Sequence, residues 1–239
     1  MIAAVAEAAN APGPGPGSGP ERRRRVGRPR LRPASDAGVP PREQILDAAA
    51  ALFVAQGLAA TTTRQIAERV GIRQASMYYY FGGKDAILLE LLTLSVRPSL
   101  RVAAMLESRC AGSPATGLYA LALIDIQTLT RAPHNIGTLY LLPEVQGEEY
   151  ASFRAERAEL QAAYGRLGRA VGAARAAPAE ELTGTLIMQA VESVIHLRRA
   201  GSWDDGYAHE IAGSCLRAVG LGPAEVARAR AGAAELRCS

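Results

Sequence analysis

Residues 61–84, TTTRQIAERVGIRQASMYYYFGGK, bring together side chains that can donate hydrogen bonds to a nucleic acid. An amide or a hydroxyl near the start of an exposed helix can reach base edges in the major groove, and Gln74 and Ser76 stand at such positions. Arg64 can reach a guanine through the paired donors of its guanidinium group. These three side chains are the predicted base-reading residues.

Other residues of the same stretch suit the phosphate backbone, which positions a protein on a duplex without reading its sequence. Free backbone N–H groups at a helix start attract phosphate, so Thr62 and Thr63 are predicted to bind one. Lys84, the only lysine of the chain, begins a further helix and is predicted to bind another. A threonine cluster can equally serve as a helix cap alone. It is the combination of residue types at this spacing that favours DNA binding.

Three short helices are predicted to hold these side chains in place. The first begins after Pro41 and stops at Gly57, since glycine readily takes the left-handed conformation that ends a helix. Its apolar positions recur at spacings of three and four and are Ile45, Ala49, Leu52 and Phe53.

The second helix opens at a capping-box pattern, Thr62 followed three positions later by Gln65, and Gly71 ends it. A third helix over about 74–80 follows a three-residue turn. The residues spaced to pack it on the first two helices are Ile72, Met77 and Phe81. This order of elements is a helix-turn-helix.

The sequence over about 42–92, with F…G…TTTRQIAERVGIRQASMYYYFGGKDAIL at its centre, resembles the DNA-binding domain of the tetracycline-repressor (TetR) family of bacterial transcription regulators. The resemblance implies an all-helical homodimer whose N-terminal domains read a palindromic operator and whose C-terminal domains form the dimer interface and hold a small-molecule pocket. It also implies that Tyr78 and Tyr80 donate to phosphate. Tyrosine suits this role because its ring packs on the domain while its hydroxyl projects.

Positive charge is concentrated in the first third of the chain. Residues 1–41 carry a net charge of +4, residues 42–84 carry +2, and residues 85–239 carry −2. A basic first third and a nearly neutral remainder indicate a polyanion-binding part joined to a part with another role. The predicted division is a disordered basic arm (1–40), a helix-turn-helix DNA-binding domain (41–84) and an effector-binding and dimerisation domain (85–239).

The arm contains two distinct stretches. Residues 11–20, APGPGPGSGP, are full of helix breakers and predict a disordered spacer. The GRPR sequence that includes Arg28 and Arg30 resembles an AT-hook core, in which arginines enter an A·T-rich minor groove. The same arginines could instead form a solvated basic tail that adds only attraction to phosphate.

The larger part of the chain is also predicted to be helical, which makes the fold class all-α. Hydrophobic residues form 49% of the sequence, and alanine and leucine dominate them. Helices are predicted from Lys84, with Pro98 as a kink or a restart, and over about 114–131, 148–171, 178–200 and 204–219, with a short apolar helix ended by Pro143.

The helix over 178–200 carries more apolar surface than one neighbour would cover. Pairing this helix and the next with their copies in a second chain would give a four-helix dimer interface. A helix buried within its own monomer would show the same pattern.

Polar side chains inside apolar stretches mark a candidate effector pocket, because ligand cavities are mostly apolar with a few polar groups. These side chains are Gln127, His134, Asn135, Tyr140 and Glu192. His134 and His196 could equally be structural histidines whose partners are other protein groups.

The sequence shows no pattern typical of metal binding, catalysis or membrane insertion. Histidines, cysteines and acidic residues show no metal-ligand spacing and no catalytic arrangement, so we expect no cofactor, no metal and no enzymatic activity. The three cysteines are far apart and suit reduced thiols. No apolar run is long enough to cross a bilayer, so we expect a cytoplasmic, nucleoid-associated protein without a membrane partner.

Three function hypotheses remain open. The first is a dimeric, ligand-responsive transcription regulator, usually a repressor in the family that the sequence resembles. The second is an architectural DNA-binding protein that uses its basic arm without an effector. The third is a helical enzyme that holds a cofactor through His134 or His196.

Overall fold

The computed structural model describes residues 38–172 and 179–236, and within these ranges it contains helices and no strands, which confirms the all-α fold class. The α-helices are α1 Pro41–Ala60, α2 Thr63–Val70, α3 Gln74–Tyr80, α4 Lys84–Arg109, α5 Pro114–Arg131, α6 Ala151–Gly172, α7 Glu180–Arg199, α8 Tyr207–Ala218 and α9 Pro223–Leu236. Three short 3₁₀ helices lie between α5 and α6, at Ile136–Leu139, Pro143–Gln146 and Glu148–Tyr150.

The first three helices, here called the head, form as their end signals predict. Pro41 occupies the first turn of α1, and Gly57 breaks that helix with a φ of 83° before one last turn to Ala60. Thr62 and Gln65 form the predicted capping box of α2. Gly71 ends α2 in the left-handed conformation. The side chains that fill the head are Ile45, Ala49, Phe53, Ile66, Met77 and Phe81.

Helix α4 joins the head to the remaining helices, here called the body. It is one continuous helix of 26 residues that runs through Pro98 without a restart. Side chains along α4 pair with other elements near both ends and at the middle. Asp85 accepts the Tyr150 hydroxyl at 2.9 Å, and Glu107 pairs with Arg166 at 3.0 Å. The head is therefore connected to the body through α4, which contacts the body along its length.

Helix α5 lies at the centre of the body, and α6 and α7 cross closely beside it. The crossing depends on glycine, since a Cβ added at Gly184 would lie 2.3 Å from the Gln161 carbonyl oxygen. A Cβ added at Gly165 would lie 2.6 Å from the Glu180 carbonyl oxygen. Only residues without a side chain let these two backbones approach to this distance.

The structure corrects the predicted elements in two places. Residues predicted as a short apolar helix before Pro143 form the 3₁₀ helix Ile136–Leu139 and a turn, so they supply short loops rather than a packed helix. Helix α9 has no counterpart among the predicted helices. Its buried residues Ala229 and Ala233 are small, so its sequence carries little of the apolar contrast from which a helix is predicted.

A buried carboxyl group sits where α4, α5 and α6 meet. Asp125 is 4% exposed, and its two oxygens accept hydrogen bonds from the Ser99 hydroxyl at 2.8 Å and the Tyr164 hydroxyl at 2.9 Å. Burial raises the pKa of Asp125 to about 6, although the two hydrogen bonds act in the opposite direction. No local sequence pattern indicates this cluster, because its members are far apart along the chain.

Candidate nucleic-acid interface and ligand cavity

Helix α3 is exposed along nearly its whole length. Met77 is its one buried residue, and Phe81 directly after the helix is buried as well. These two side chains anchor α3 on the head and turn its remaining residues outward. The exposed residues of α3 are Gln74, Ala75, Ser76, Tyr78, Tyr79 and Tyr80.

A chain of hydrogen bonds joins α3 to the start of α2. The Gln74 amide donates to the Thr63 hydroxyl at 2.8 Å, and that hydroxyl lies 3.3 Å from the Tyr78 hydroxyl. Two predicted phosphate ligands and one predicted base-reading residue therefore lie together on one surface. Their mutual contacts hold the side chains in place before any partner arrives, which lowers the entropy cost of binding.

The predicted phosphate-binding tyrosines are both at the surface. Tyr78 is 49% exposed and Tyr80 is 36% exposed, while Tyr79 between them is 85% exposed. The rings of Tyr79 and Tyr80 meet edge to face, with centroids 5.2 Å apart. All three phenol rings are thus available at one end of α3.

Arg64 projects from the first turn of α2 with 77% of its side chain exposed. Its Nε donates to the Glu68 carboxylate at 2.8 Å, four residues along the same helix. Such a surface ion pair contributes little to stability and yields readily to a stronger partner. Among the described residues its two terminal nitrogens make no hydrogen bond, so the arginine can be presented to a base edge.

Two of the predicted phosphate ligands have structural partners. The backbone N–H of Thr62 was predicted to be free, but it donates to the Gln65 side-chain oxygen at 2.8 Å within the capping box. The Lys84 ammonium donates to the carbonyl oxygens of Leu58 at 2.9 Å and Thr61 at 3.4 Å, where it caps the end of α1. Capping is the role that the structure assigns to both residues. Binding of phosphate by them remains a prediction.

Arg28 and Arg30, predicted to enter a minor groove, lie outside the described residues.

The five predicted effector-binding residues do not form one cluster. Tyr140 and Glu192 line the same cavity, of about 190 Å³, between the 3₁₀ helix Ile136–Leu139 and α7. Asn135 lies in a neighbouring cleft, and its amide donates to the Ile195 carbonyl oxygen at 2.8 Å. His134 faces Asp47 of α1 at 3.2 Å, and Gln127 lies on α5 without lining either cavity.

The cavity that holds Tyr140 and Glu192 contains an ion pair that the sequence did not predict. Arg157 of α6 donates two hydrogen bonds from one terminal nitrogen, each 2.7 Å long, to the two Glu192 oxygens. The Arg157 guanidinium also lies 5.6 Å from the centre of the Tyr140 ring, within the range of a cation–π contact. Burial raises the pKa of the Tyr140 hydroxyl, which keeps it a neutral hydrogen-bond donor.

Tyr140 also connects this cavity to the helix that leads to the head. Its hydroxyl lies 2.8 Å from the Ser95 hydroxyl of α4. A displacement of Tyr140 would therefore alter a contact of α4 directly.

Within the described ranges, groups of three or more His, Cys, Asp or Glu side chains that could hold a metal ion do not occur. Nor does any helix there have the length and apolarity to traverse a bilayer.

Comparison with known proteins shows two levels of similarity. The model of the bacterial regulatory proteins of the tetR family matches residues 45–91, which include α2, α3 and most of α1. The transcriptional repressor KstR2 of Rhodococcus jostii is 45% identical over 51 residues, which are 21% of this chain and 25% of that protein. The match to this curated relative thus spans about a quarter of the relative's length.

The similarity to one solved structure extends over the body as well. AmtR of Mycobacterium smegmatis is 39% identical, with a TM-score of 0.75 over 84% of this chain and 96% of that one. PfmR of Thermus thermophilus shares the fold, with a TM-score of 0.61 at 19% identity over 73% of this chain and 96% of that one. Head and body together thus match AmtR at 39% identity, and the head matches the family model. The chain belongs to the tetR family of bacterial regulatory proteins.

Proposed function

We propose that this protein is a homodimeric transcriptional repressor that binds a palindromic operator and leaves it when a small-molecule effector binds the body. The observation that carries the proposal is the outward face of α3, where polar and phenolic side chains are exposed while Met77 and Phe81 hold the helix on the head. KstR2, which resembles this chain over the head, is a transcriptional repressor.

In this proposal α3 enters the major groove of the operator. Gln74 and Ser76 read base edges from the first turn of α3, and Arg64 reaches a guanine from α2. Tyr78 and Tyr80 donate to phosphates on either side of the groove and fix the angle of the helix. The hydrogen bonds between Thr63, Gln74 and Tyr78 support this assignment, because they bring these three side chains together on one surface.

A second copy of the chain is proposed to cover exposed apolar residues of the body. Leu182 and Leu186, one turn apart on α7, are 51% and 47% exposed, and Tyr207 at the start of α8 is 44% exposed. These residues favour the interface between chains over a helix buried in its own monomer. A two-fold axis through such an interface would present two heads to two halves of a palindrome.

The cavity lined by Tyr140 and Glu192 is the proposed effector site. An effector that displaces Tyr140 would disturb its contact with Ser95 and thereby shift α4. Since α4 leads directly into the head, the shift would change the spacing of the two α3 helices in the dimer. Half-sites one helical turn apart, about 34–36 Å, accept only a narrow range of spacings, so a small shift weakens binding.

The second candidate function is that of an architectural DNA-binding protein that needs no effector. The seven arginines of residues 22–32 favour it, because an arginine-rich arm binds duplexes of many sequences. The two functions predict different footprints. A regulator protects one short palindrome, whereas an architectural protein covers broad A·T-rich regions.

Selection of bound sequences from random duplexes, at one stated salt concentration, tests the proposal. We expect a single palindrome, and we expect Arg64→Ala to lower affinity for it by about 10- to 100-fold, the value of one good arginine–guanine contact. Arg69→Ala is the matched control, because Arg69 is also an exposed arginine of α2 and is outside the predicted contacts. Full specific binding by the Arg64→Ala protein would contradict the proposed reading of the operator.

A further inference from the structure

A cleft of about 440 Å³ lies between the C-terminal end of α1 and the body. Its head side is formed by Phe53, Val54 and Gly57. Its body side is formed by Asn135, Thr138, Leu139, Leu142, Arg198 and Arg199. The volume is in the range of small-molecule sites, and an occupant would contact the head and the body at once.

The charged side chains among the described residues that line this cleft are two arginines, Arg198 and Arg199, and no carboxylate is among them. Two of the five N–H groups of Arg198 donate to the carbonyl oxygens of Leu129 and Ala132 at the end of α5, which holds this guanidinium in place. Arg199 is exposed and makes no hydrogen bond or ion pair with the described residues. Neither arginine therefore has a carboxylate partner among the described residues, and Arg199 is the one whose N–H groups are all available.

The remaining walls of the cleft are largely apolar. Phe53 and Val54 face it from α1, and Leu139 and Leu142 face it from the body. One N–H of the Asn135 amide and the Thr138 hydroxyl donate to the carbonyl oxygens of Ile195 and Asn135. The guanidinium whose donors are all available, that of Arg199, matches a carboxylate, because an arginine can donate two parallel hydrogen bonds to one carboxylate. The apolar walls match an apolar body of the same ligand.

We propose that this cleft binds a small monocarboxylic acid, with its carboxylate on Arg199 and its apolar part between α1 and the residues Leu139 and Leu142. The site is separate from the cavity of Tyr140 and Glu192, although Thr138 and Arg199 border both. In that cavity the Glu192 carboxylate already binds Arg157 and would repel a second carboxylate. No acidic side chain is among the described residues that line the cleft, so we assign the carboxylate of the ligand to the cleft.

Isothermal titration of the full-length protein with octanoate tests the proposal. We expect saturable binding that Arg199→Gln weakens about tenfold or more, the usual loss for a charge-assisted hydrogen bond. Octan-1-ol, which has the same chain length and no charge, is expected to bind more weakly than octanoate. The titration contains no DNA, so its result does not depend on the proposed function.

Two further variants locate the bound acid. Val54→Glu places a carboxylate on the α1 wall of the cleft and is expected to abolish octanoate binding. Leu141→Glu is the matched control, because Leu141 is 86% exposed and lines the neighbouring cavity but is not among the residues that line the cleft. Binding that survives Val54→Glu, binding that Arg199→Gln leaves unchanged, or no saturable binding by the wild type would each overturn the proposal.

Discussion

Replacement of Asp125 by asparagine tests the cost of the charge that this fold buries among α4, α5 and α6. Asparagine has nearly the same shape, and its side-chain oxygen can accept the Ser99 hydroxyl while its amide donates to the Tyr164 oxygen. The substitution therefore removes the ionisable group and keeps the packing. Any pH-dependent difference between the two proteins then reports the ionisation of this one carboxyl.

The magnitude follows from the shift of the Asp125 pKa from 3.8 to about 6, caused mainly by burial. One pKa unit corresponds to about 1.4 kcal/mol, so the shift of about two units corresponds to about 3 kcal/mol. The folded protein holds this proton more tightly than the unfolded chain does. The contribution of Asp125 to the free energy of unfolding is therefore greatest below pH 3.8 and falls as the pH rises to about 6.

Urea denaturation followed by circular dichroism, at equal protein concentrations and at about pH 4 and about pH 8, measures the effect. The measured quantity is the free energy of unfolding of Asp125→Asn minus that of wild type. We expect this difference to be greater at pH 8 than at pH 4 by up to about 3 kcal/mol. Asp85→Asn is the control, because Asp85 also accepts a tyrosine hydroxyl but is exposed. It should show no such gain.

A difference between Asp125→Asn and wild type that is the same at both pH values would refute the reasoning. It would mean that the buried carboxyl keeps the same proton affinity in the folded and unfolded states. A gain of similar size in Asp85→Asn would refute it as well, because the effect would then not arise from burial.

Three other substitutions test separate parts of the structure. Thr62→Ala should lower the free energy of unfolding by about 1 kcal/mol in urea denaturation, because α2 loses its cap; an unchanged midpoint would argue against the capping box. Gly184→Ala should lower the free energy of unfolding by about 1–3 kcal/mol in thermal denaturation, because its Cβ would lie 2.3 Å from the Gln161 carbonyl oxygen. A variant as stable as wild type would show that the helices separate at little cost. Tyr78→Phe should weaken operator binding severalfold in a fluorescence titration while the free energy of unfolding changes by less than about 0.5 kcal/mol, and equal affinity would remove Tyr78 from the contacts.

Much of the head could be predicted because its signals are local. The capping box of Thr62 and Gln65 spans three residues, and Gly57 and Gly71 have the positive φ angles expected at helix ends. The buried positions of Met77 and Phe81 follow from helical spacing. The exposure of Tyr78 and Tyr80 agrees with their predicted role, which itself stays a prediction until binding is measured.

The body could be predicted less well, because its important contacts join distant residues. Tyr140 and Glu192 were both predicted near an effector, and they do share a cavity. Arg157, which links them, carries no distinguishing signal in the sequence. Gln127 and His134 lie apart from that cavity, since polarity within an apolar stretch does not say which way a side chain points.

The sequence by itself determined the helices of the head and the outward face of α3, because caps, glycine conformation and apolar period act over a few neighbouring residues. Only the tertiary structure decided which polar groups are already occupied. Lys84 caps α1 by donating to the Thr61 carbonyl oxygen, 23 residues earlier in the chain, and Asp125 is buried by partners 26 and 39 residues away. Burial and hydrogen-bond partnership depend on packing between helices, and packing is fixed only when the chain is folded.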